Sequence, residues 1–254
     1  MDTLEYSTNP FGGAITDPAH LPDDSQQFEA RLKSSIGAWT EEGLKVVWLE
    51  VPIAKSDLIP VAVQQGFTFH HSEDGYLMLT HQLETGAFVP PFATHYTGAG
   101  GVVLNDSEEL LVVSERYRRS KTPSYKLPGG ALHAGEHLEQ CVVREVKEET
   151  GVDAEFVSLV CFRHWHGYRY GKSDIYFVCR LKPLSHEVTI QAEEIAEALW
   201  MPVNNYLDAE GVSVFNKEIV RAALSSPGVA PAHIDGYSDP DRHEIFMPRS
   251  NDRT

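Results

Sequence analysis

The sequence has few cysteines, few basic residues and no long hydrophobic run, and each shortage excludes a class of protein. Its three cysteines, Cys141, Cys161 and Cys179, are too few and too scattered for a disulfide framework or a zinc site. No apolar run approaches the roughly 20 residues of a membrane helix, and the first residues do not resemble a secretory signal. We therefore expect a soluble, cytoplasmic protein that does not enter a membrane and carries its cysteines in the core.

The charge balance of the chain is strongly acidic. Across 254 residues, 37 Asp and Glu outnumber 21 Lys and Arg, which gives a formal net charge of -16. A long polyanion would meet a repulsive field, which argues against long nucleic acid as a partner. A small anionic substrate would need local positive charge from a few Arg and Lys side chains or from metal ions.

The length of the chain and two changes in composition predict two small domains. Residues 1–24 are rich in Pro, Gly and Asp and are predicted to be an irregular lead-in, and a Pro-containing connector is predicted near residue 90. Residues 25–90 show helical and strand periodicity typical of a small α/β domain. Residues 91–225 are predicted to form a second α/β domain with helices at about 136–150 and 214–225, and residues 226–254 a C-terminal extension that is mostly coil.

The helix predicted from Glu136 to Thr150 carries glutamates where an amphipathic helix is normally apolar. At 100° per residue, one narrow stripe contains Leu138, Val142, Glu145 and Glu149, and Glu148 lies at its edge. Burying an unpaired carboxylate costs several kcal/mol, which exceeds the small terms that govern a solvated helix face. A cation is therefore expected beside these glutamates.

The residue types around this stripe indicate which cation to expect. Glu145, Glu148 and Glu149 offer oxygen ligands with no His or Cys beside them, which suits Mg²⁺ or Mn²⁺ rather than zinc. Arg144 precedes Glu148 by four residues, so its side chain can hold that carboxylate by a charge-assisted hydrogen bond. Upstream, Gly130 has no Cβ, which would allow its carbonyl to approach a metal closely.

The spacing of these residues matches a known pattern at every specified position. Gly130, Glu136 and the run from Arg144 to Val152 fit G-x5-E-x7-R-E-U-x-E-E-x-G-U, where U is aliphatic. This is the Nudix box, so the chain resembles the Nudix hydrolases. Segments such as "VVWLEVPIAKSDLIPVAVQQGFTFHH" and "PFATHYTGAGGVVLN" resemble the subfamily with a pre-Nudix domain, which includes plant ADP-ribose/NADH pyrophosphatases and the vertebrate antisense fibroblast growth factor protein.

The resemblance implies a fold and a reaction. The fold is an α/β/α sandwich with a mixed sheet, preceded by a small acyltransferase-like α/β domain that has a structural or homodimer-forming role. The reaction is attack of water on a nucleoside diphosphate linked to another moiety, X, with Mg²⁺ or Mn²⁺ as cofactor. It yields a nucleoside monophosphate and phospho-X, and the subfamily favours ADP-ribose or NADH as substrate.

The resemblance also implies roles for particular residues. The metal ligands are Glu145, Glu148, Glu149 and the Gly130 carbonyl, with Glu136 as an outer or water-mediated ligand. Arg144 orients the glutamates, and the general base is left open between Glu149, Glu193 and Glu194. Substrate contacts are expected from Arg163, Lys172, Arg116 and Lys126, the second pair in or near the basic segment "ERYRRSK" at 115–121.

Several alternatives stay open at this stage. Tyr168 stands where many ADP-ribose hydrolases carry a proline, and the nearby Tyr170 is a weak sign of a dinucleoside polyphosphate hydrolase. A non-catalytic nucleotide- or protein-binding module would usually have lost box glutamates, and mRNA cap removal is disfavoured by the acidic balance. His70 and His71 are predicted to point to opposite faces of a strand, whereas His164 and His166 share one.

Overall fold

The computed structural model describes residues 2–117 and 124–248. Within them the chain forms two compact units that divide between Ala93 and Thr94, close to the boundary expected near residue 90. No helix in the described part of the chain is long and apolar enough to cross a membrane.

The first unit is a five-stranded sheet with helices packed against it. The strands are β1 (Tyr6–Thr8), β2 (Gly13–Thr16), β3 (Val46–Pro52), β4 (Thr68–Glu73) and β5 (Tyr76–Gln82), and the α-helices are α1 (Ser25–Glu41) and α2 (Ile59–Gln64), with 3-10 helices at Pro18–His20 and Ile53–Leu58. The strand order is β1-β2-β3-β5-β4, in which only β2 and β3 are parallel neighbours. The prediction of a small α/β unit is confirmed.

Local signals explain why α1 forms. The Asp24 side chain accepts a hydrogen bond from the backbone N–H of Gln27, which satisfies one of the unpaired donors at the helix start. Phe28, Leu32 and Trp39 recur at helical spacing and are fully buried in the core that α1 shares with the sheet.

The prediction of an irregular lead-in over residues 1–24 is wrong. This segment supplies β1 and β2, and β2 pairs with β3 inside the sheet. Leu4 is buried, and its backbone N–H donates to the Ser35 hydroxyl on α1 at 2.8 Å. Pro10 and Gly12, which suggested irregular structure, lie only between two strands that are too short to show a periodic pattern.

The second unit is an α/β/α sandwich with a mixed sheet. Its strands are β6 (His95–Val103), β7 (Glu109–Glu115), β8 (Gly129–Ala131), β9 (Ala154–Trp165), β10 (Ser173–Pro183), β11 (Ile195–Pro202), β12 (Ala230–Pro231) and β13 (Phe246–Met247), and its helices are α3 (Leu138–Thr150), α4 (Val203–Asp208) and α5 (Val214–Ser225). Four strands lie in the order β8-β6-β10-β9, and β7 pairs with β11. Since β10 is parallel to β6 and antiparallel to β9, the sheet is mixed, as the resemblance implied.

Alternation along the central strands divides the core of this unit in two. Ala99 and Cys179 belong to the cluster that includes the apolar side chains of α3, whereas Val102 and Val178 belong to the cluster that includes those of α5. The sheet therefore lies between α3 and α5, and each face packs against a different helix.

Residues 226–248 belong to this second unit. The backbone of Val229 pairs with that of Leu159 on β9, and the ring of Phe246 packs against Phe156 with centroids 5.5 Å apart. The segment that was expected to be mostly coil therefore lies against β9 and, as shown below, reaches α3.

Candidate active site

Both ends of α3 are fixed by groups that the helix itself does not contain. At its first turn the Glu244 carboxylate accepts hydrogen bonds from the backbone N–H groups of Leu138 and Glu139, both at 2.8 Å. At its last turn Gly151 adopts the left-handed conformation, with φ 73°, that ends many helices. The helix that carries the glutamates is thereby anchored to the C-terminal segment and ends at Thr150.

Arg144 lies at the centre of the glutamates. Its Nε and Nη2 atoms donate to the two oxygens of Glu136 at 2.7 and 3.0 Å. Its Nη1 atom donates to Glu145 Oε1 at 2.9 Å and to Glu148 Oε2 at 3.0 Å. One guanidinium group thus holds three carboxylates, and the contact that the spacing predicted with Glu148 is present.

Glu136 is held in its ionised form by its hydrogen bonds. The hydrogen bonds from Arg144, assisted by one from the backbone N–H of His133 at 2.9 Å, lower the pKa of Glu136 to about 2 in spite of its partial burial. Both of its oxygens are therefore already engaged by protein donors.

Glu149, near the end of α3, has a different environment. Its exposed fraction is 6%, and burial raises the pKa of the Glu149 carboxyl to about 7. Two groups oppose that rise: Lys126 Nζ lies 3.9 Å from Oε1, and the backbone N–H of Gly129 donates to Oε2 at 2.9 Å. Since Lys126 also pairs with Glu115 at 2.5 Å, its charge is divided between two carboxylates.

Strand β8 passes very close to these side chains because it contains two glycines. A Cβ atom on Gly130 would lie 2.5 Å from Glu145 Oε1, so the carboxylate occupies the space that any other residue would need. A Cβ on Gly129 would lie 2.3 Å from the Ala99 carbonyl oxygen, and Gly129 has a φ of 153°. The structure therefore places the Gly130 backbone directly against Glu145.

A cleft of about 370 Å³ adjoins Lys126 on the α5 face of the sheet. Its lining includes Lys126, Arg163, Trp165, Asp174, Tyr176 and Phe215. Arg163 is paired with the buried Asp174 at 2.5 Å, and its guanidinium carbon lies 5.1 to 5.6 Å from the ring centres of the three aromatic residues. The cleft thus combines two cations with a set of aromatic surfaces.

Comparison with known proteins agrees with this geometry. The sequence matches the Nudix hydrolase domain family over residues 4–83 and the NUDIX domain family over residues 94–223. This chain belongs to the Nudix family of pyrophosphohydrolases. Among its relatives, Nudix hydrolase 2 of Arabidopsis thaliana is 42% identical over 213 residues, which cover 83% of this chain and 76% of that protein.

Two further relatives are matched by this chain over different shares of their own length. Nudix hydrolase 8 of Arabidopsis thaliana is 41% identical over 87% of this chain, but the match spans only 62% of that protein. Nucleoside diphosphate-linked moiety X motif 6 of Homo sapiens is 34% identical over 87% of this chain and 72% of that protein.

The structure places the remaining candidate residues of the Nudix domain at the periphery. Arg116 and Glu194 are joined through their backbones, since the Arg116 N–H donates to the Glu194 carbonyl at 2.7 Å, and both side chains are exposed. Lys172 lies in the turn between β9 and β10, where its carbonyl accepts from the Tyr168 N–H at 2.9 Å. The other basic residues expected near the entrance, Arg118, Arg119 and Lys121, lie outside the described residues.

Sequence reasoning missed three residues that shape the cleft. Asp174 neutralises Arg163, Tyr176 is a largely enclosed ring whose hydroxyl pKa is raised by burial, and Phe215 comes from α5. One signal was available in "SDIYFV": Asp174 and Tyr176 are two residues apart and therefore lie on the same face of β10. Nothing in the sequence linked Phe215 to that face.

Proposed function

We propose that this Nudix chain hydrolyses a nucleoside diphosphate linked to a second moiety, with ADP-ribose or NADH as favoured substrates. The products are a nucleoside monophosphate and the phosphorylated second moiety. The observation that carries the proposal is the gathering of Glu136, Glu145 and Glu148 around Arg144, directly beside the Gly130 backbone. The choice of ADP-ribose or NADH rests on the subfamily resemblance.

The donor set fits a hard divalent cation. The glutamates gathered beside β8 offer carboxylate oxygens, which Mg²⁺ and Mn²⁺ prefer. Glu149 is a buried carboxylate whose nearest cation, Lys126, stands 3.9 Å away and is shared with Glu115. A bound divalent ion would lower the energy of this carboxylate and supply the positive charge that a pyrophosphate and its attacking water require.

The individual roles follow from these contacts. We assign Glu145, Glu148, Glu149 and the Gly130 carbonyl as metal ligands. Glu136 is a water-mediated ligand, because both of its oxygens already accept hydrogen bonds from the protein. Nudix hydrolases generally use divalent metal ions, and we favour Mg²⁺ or Mn²⁺ here.

Arg144 acts by holding its three carboxylates in one arrangement, so the ligand oxygens are fixed before substrate arrives. The proton acceptor is Glu149 or one of the loop residues Glu193 and Glu194. The loop is held beside the same region, since the Glu194 carbonyl accepts from Arg116, the neighbour of the Glu115 that pairs with Lys126.

The cleft beside Lys126 is proposed as the substrate site. Its aromatic rings offer stacking surfaces for a base or a nicotinamide, while Lys126 and Arg163 offer positive charge to the diphosphate. Asp174 pairs with Arg163 and orients its guanidinium group. This would favour directional hydrogen bonds from Arg163 to the diphosphate over a general attraction between the charges. Lys172 and Arg116 are proposed as outer contacts to the same anion.

The test is a substrate panel run with and without divalent metal. ADP-ribose, NADH, dinucleoside polyphosphates, coenzyme A and capped RNA are each incubated with the chain, and products are identified by chromatography. We expect the fastest turnover on ADP-ribose or NADH, complete loss with EDTA, and recovery on adding Mg²⁺ or Mn²⁺. Preference for dinucleoside polyphosphates or capped RNA would replace the substrate assignment. Nucleotide binding without turnover would identify a non-catalytic module.

We also propose a cytoplasmic homodimer that forms through the first unit. The first unit contains no cysteine, and the three cysteines of the second unit are not in disulfides. Both facts suit a reducing compartment. Three phenylalanines of the first unit are largely exposed: Phe11 at 85%, Phe69 at 65% and Phe88 at 80%. Large exposed apolar side chains are more typical of a protein–protein interface than of a surface that stays in contact with water. Sedimentation of the full chain tests this, and a monomer at micromolar concentration would contradict it.

A further inference from the structure

One tyrosine of the second unit extends across the strand beside its own. Tyr176 on β10 is paired with Gly98 on the neighbouring strand β6, and Gly100 of β6 is in turn paired with Gly129 of β8. A Cβ atom on Gly98 would lie 3.2 Å from Tyr176 Cδ2, and a Cβ atom on Gly100 would lie 2.1 Å from the Tyr176 hydroxyl oxygen. The Tyr176 side chain therefore crosses β6 and reaches toward β8, the edge strand of the four-stranded sheet.

Glycines make room for this side chain. Gly98 and Gly100 are two residues apart on β6 and so lie on the same face of the sheet. Because glycine weakens the interior of a strand, glycines at alternate positions indicate that another group must approach the strand closely. Here that group is the tyrosine, since its hydroxyl oxygen and a side chain at position 100 would be only 2.1 Å apart.

The hydroxyl of Tyr176 ends beside the buried glutamate of α3. A Cβ atom on Gly129 would lie 2.9 Å from the hydroxyl oxygen, and the backbone N–H of the same glycine donates to Glu149 Oε2 at 2.9 Å. Lys126 Nζ lies 3.9 Å from the other oxygen of Glu149. The hydroxyl is therefore placed where the cleft that contains Lys126 meets the proposed metal ligands.

This hydroxyl has no partner in the protein. Tyr176 lines the cleft, and within residues 2–117 and 124–248 no group forms a hydrogen bond with its hydroxyl. Enclosed tyrosine hydroxyls usually have a partner, as in Tyr125, whose hydroxyl donates to Glu197 at 2.8 Å. A donor that borders a cleft and lacks a protein partner is available to a ligand in that cleft.

Tyr206 provides a useful contrast in the same unit. Its hydroxyl also has no hydrogen-bond partner among the described residues, but its side chain is fully buried in the core and does not line the cleft. The two tyrosines therefore share an unpaired hydroxyl and differ in whether a ligand can reach it. Tyr206 serves below as the matched control.

We propose that Tyr176 is a further catalytic residue, whose hydroxyl donates a hydrogen bond to a non-bridging oxygen of the substrate diphosphate. This inference rests on the proposed function, because it takes the cleft as the substrate site. A tyrosine hydroxyl has an ordinary pKa of about 10, and burial and the charge of Glu149 raise the pKa of Tyr176 further. It donates to the anionic oxygen without losing its proton, and such charge-assisted hydrogen bonds are stronger than neutral ones.

A neutral donor suits this position better than a cation would. Glu149 is buried and lies next to Gly129, so a second lysine or an arginine here would pair with its carboxylate and compete with the divalent ion. The tyrosine hydroxyl instead adds a contact to the diphosphate and leaves the charge of Glu149 to the metal. Lys126 and the metal supply the positive charge, and Tyr176 supplies direction.

The first test compares hydrolysis by two tyrosine variants of the full chain. Tyr176→Phe removes the hydroxyl and keeps the ring over the glycines of β6. With ADP-ribose and NADH as substrates and saturating Mg²⁺, we expect kcat/KM to fall about 10- to 100-fold, as for the loss of a hydrogen bond to a charged group. Tyr206→Phe removes an unpaired hydroxyl that lies outside the cleft and should keep the wild-type value.

A second test measures binding without turnover. The non-hydrolysable nucleoside diphosphate analogue α,β-methylene ADP is titrated by calorimetry into each protein in excess Mg²⁺. We expect roughly tenfold weaker binding to Tyr176→Phe than to the wild type or to Tyr206→Phe. If none of the panel of substrates is hydrolysed, the proposed function fails, whereas this difference in binding still supports the hydroxyl contact.

The melting temperature separates a ligand contact from a packing role. Since the hydroxyl of Tyr176 has no hydrogen-bond partner in the described part of the chain, Tyr176→Phe should melt close to the wild type. A large fall in melting temperature with unchanged binding of the analogue would show that the hydroxyl only supports the fold. Equal affinity of the wild type and Tyr176→Phe for the analogue, no binding of it to the wild type, or an unchanged kcat/KM would each overturn the proposal.

Discussion

The glutamates on α3 and just before it fall into two groups with opposite environments. On the Arg144 side, Glu136, Glu145 and Glu148 share a guanidinium group, and the pKa of Glu136 is lowered to about 2. On the other side Glu149 has no contact with Arg144, is buried, and has its pKa raised to about 7. The first group is fixed by the protein alone, whereas Glu149 has the greater need of an added cation.

The largest expected effect comes from removing one charge on the Arg144 side. Glu148→Gln keeps the shape of the side chain but removes a proposed metal ligand, and we expect kcat to fall by about 10³-fold, which corresponds to roughly 4 kcal/mol. The matched control is Glu139→Gln, an exposed glutamate in the first turn of the same helix, which should keep the wild-type rate. If Glu148→Gln kept more than half of the wild-type activity, the glutamates of the Nudix box would not be needed for hydrolysis.

A second comparison separates function from stability at two adjacent glycines. In Gly130→Ala the new methyl group would meet the end of the flexible Glu145 side chain, so the carboxylate must move while the backbone can stay. We expect about a 10²-fold loss of rate with little change in melting temperature, since small misplacements of catalytic groups cost about that much. Steady-state kinetics and thermal denaturation measure the two effects.

Gly129→Ala should give the reverse result. Its methyl group would lie 2.3 Å from the Ala99 carbonyl oxygen and 2.5 Å from the Gly100 Cα, atoms that cannot move without moving β6. We expect a loss of stability of about 1–3 kcal/mol from the clash and the strained φ. If both alanine variants lose stability equally and keep their rates, the close approach of Gly130 to Glu145 has no functional meaning.

The sequence predicted α3 and its glutamate stripe well because both depend on local spacing. The 100° rotation per residue fixed the stripe, and the contact between Arg144 and Glu148 required only a separation of four residues. The stripe also placed Glu149 on the apolar face and Glu148 at its edge, in agreement with a buried Glu149 and a half-exposed Glu148. The same reasoning could not predict the partners of Glu149, because the Gly129 N–H and Lys126 precede the helix and reach this carboxylate only through the tertiary fold.

Irregular backbone is a second reason why parts of the structure could not be predicted from the sequence. His70 and His71 were predicted to point to opposite faces of a strand, yet their Nδ1 atoms are 2.6 Å apart, because a shift of register in β4 between Phe69 and His71 interrupts the alternation. Similarly, β1 and β2 form because β3 offers an edge to pair with, which no local pattern reveals.

Arg144→Lys tests whether the arginine acts by geometry or by charge alone. Lysine keeps the positive charge but cannot donate to both Glu136 oxygens and to two further carboxylates at once. We expect roughly a tenfold lower rate and a loss of about 1–3 kcal/mol of stability, typical of hydrogen bonds to charged groups. An unchanged rate would show that charge near the glutamates suffices, and the comparison between the two sides of α3 would then rest on burial alone.

The smallest effect is expected at the far end of α3, where Glu244 accepts from two backbone N–H groups of the first turn. Glu244→Ala removes this cap and a negative charge that favours the positive end of the helix dipole. It should cost about 0.5–2 kcal/mol, or roughly 2–4 °C of melting temperature for each kcal/mol.

The matched control for Glu244 is Ser213→Ala, which removes the corresponding cap of α5 at Asn216. Both variants should lose similar stability, but only the α3 variant should also raise the concentration of Mg²⁺ needed for half-maximal activity, because α3 carries three of the proposed metal ligands and α5 carries none. Equal metal requirements in the two variants would show that the C-terminal segment stabilises the domain without positioning its glutamates.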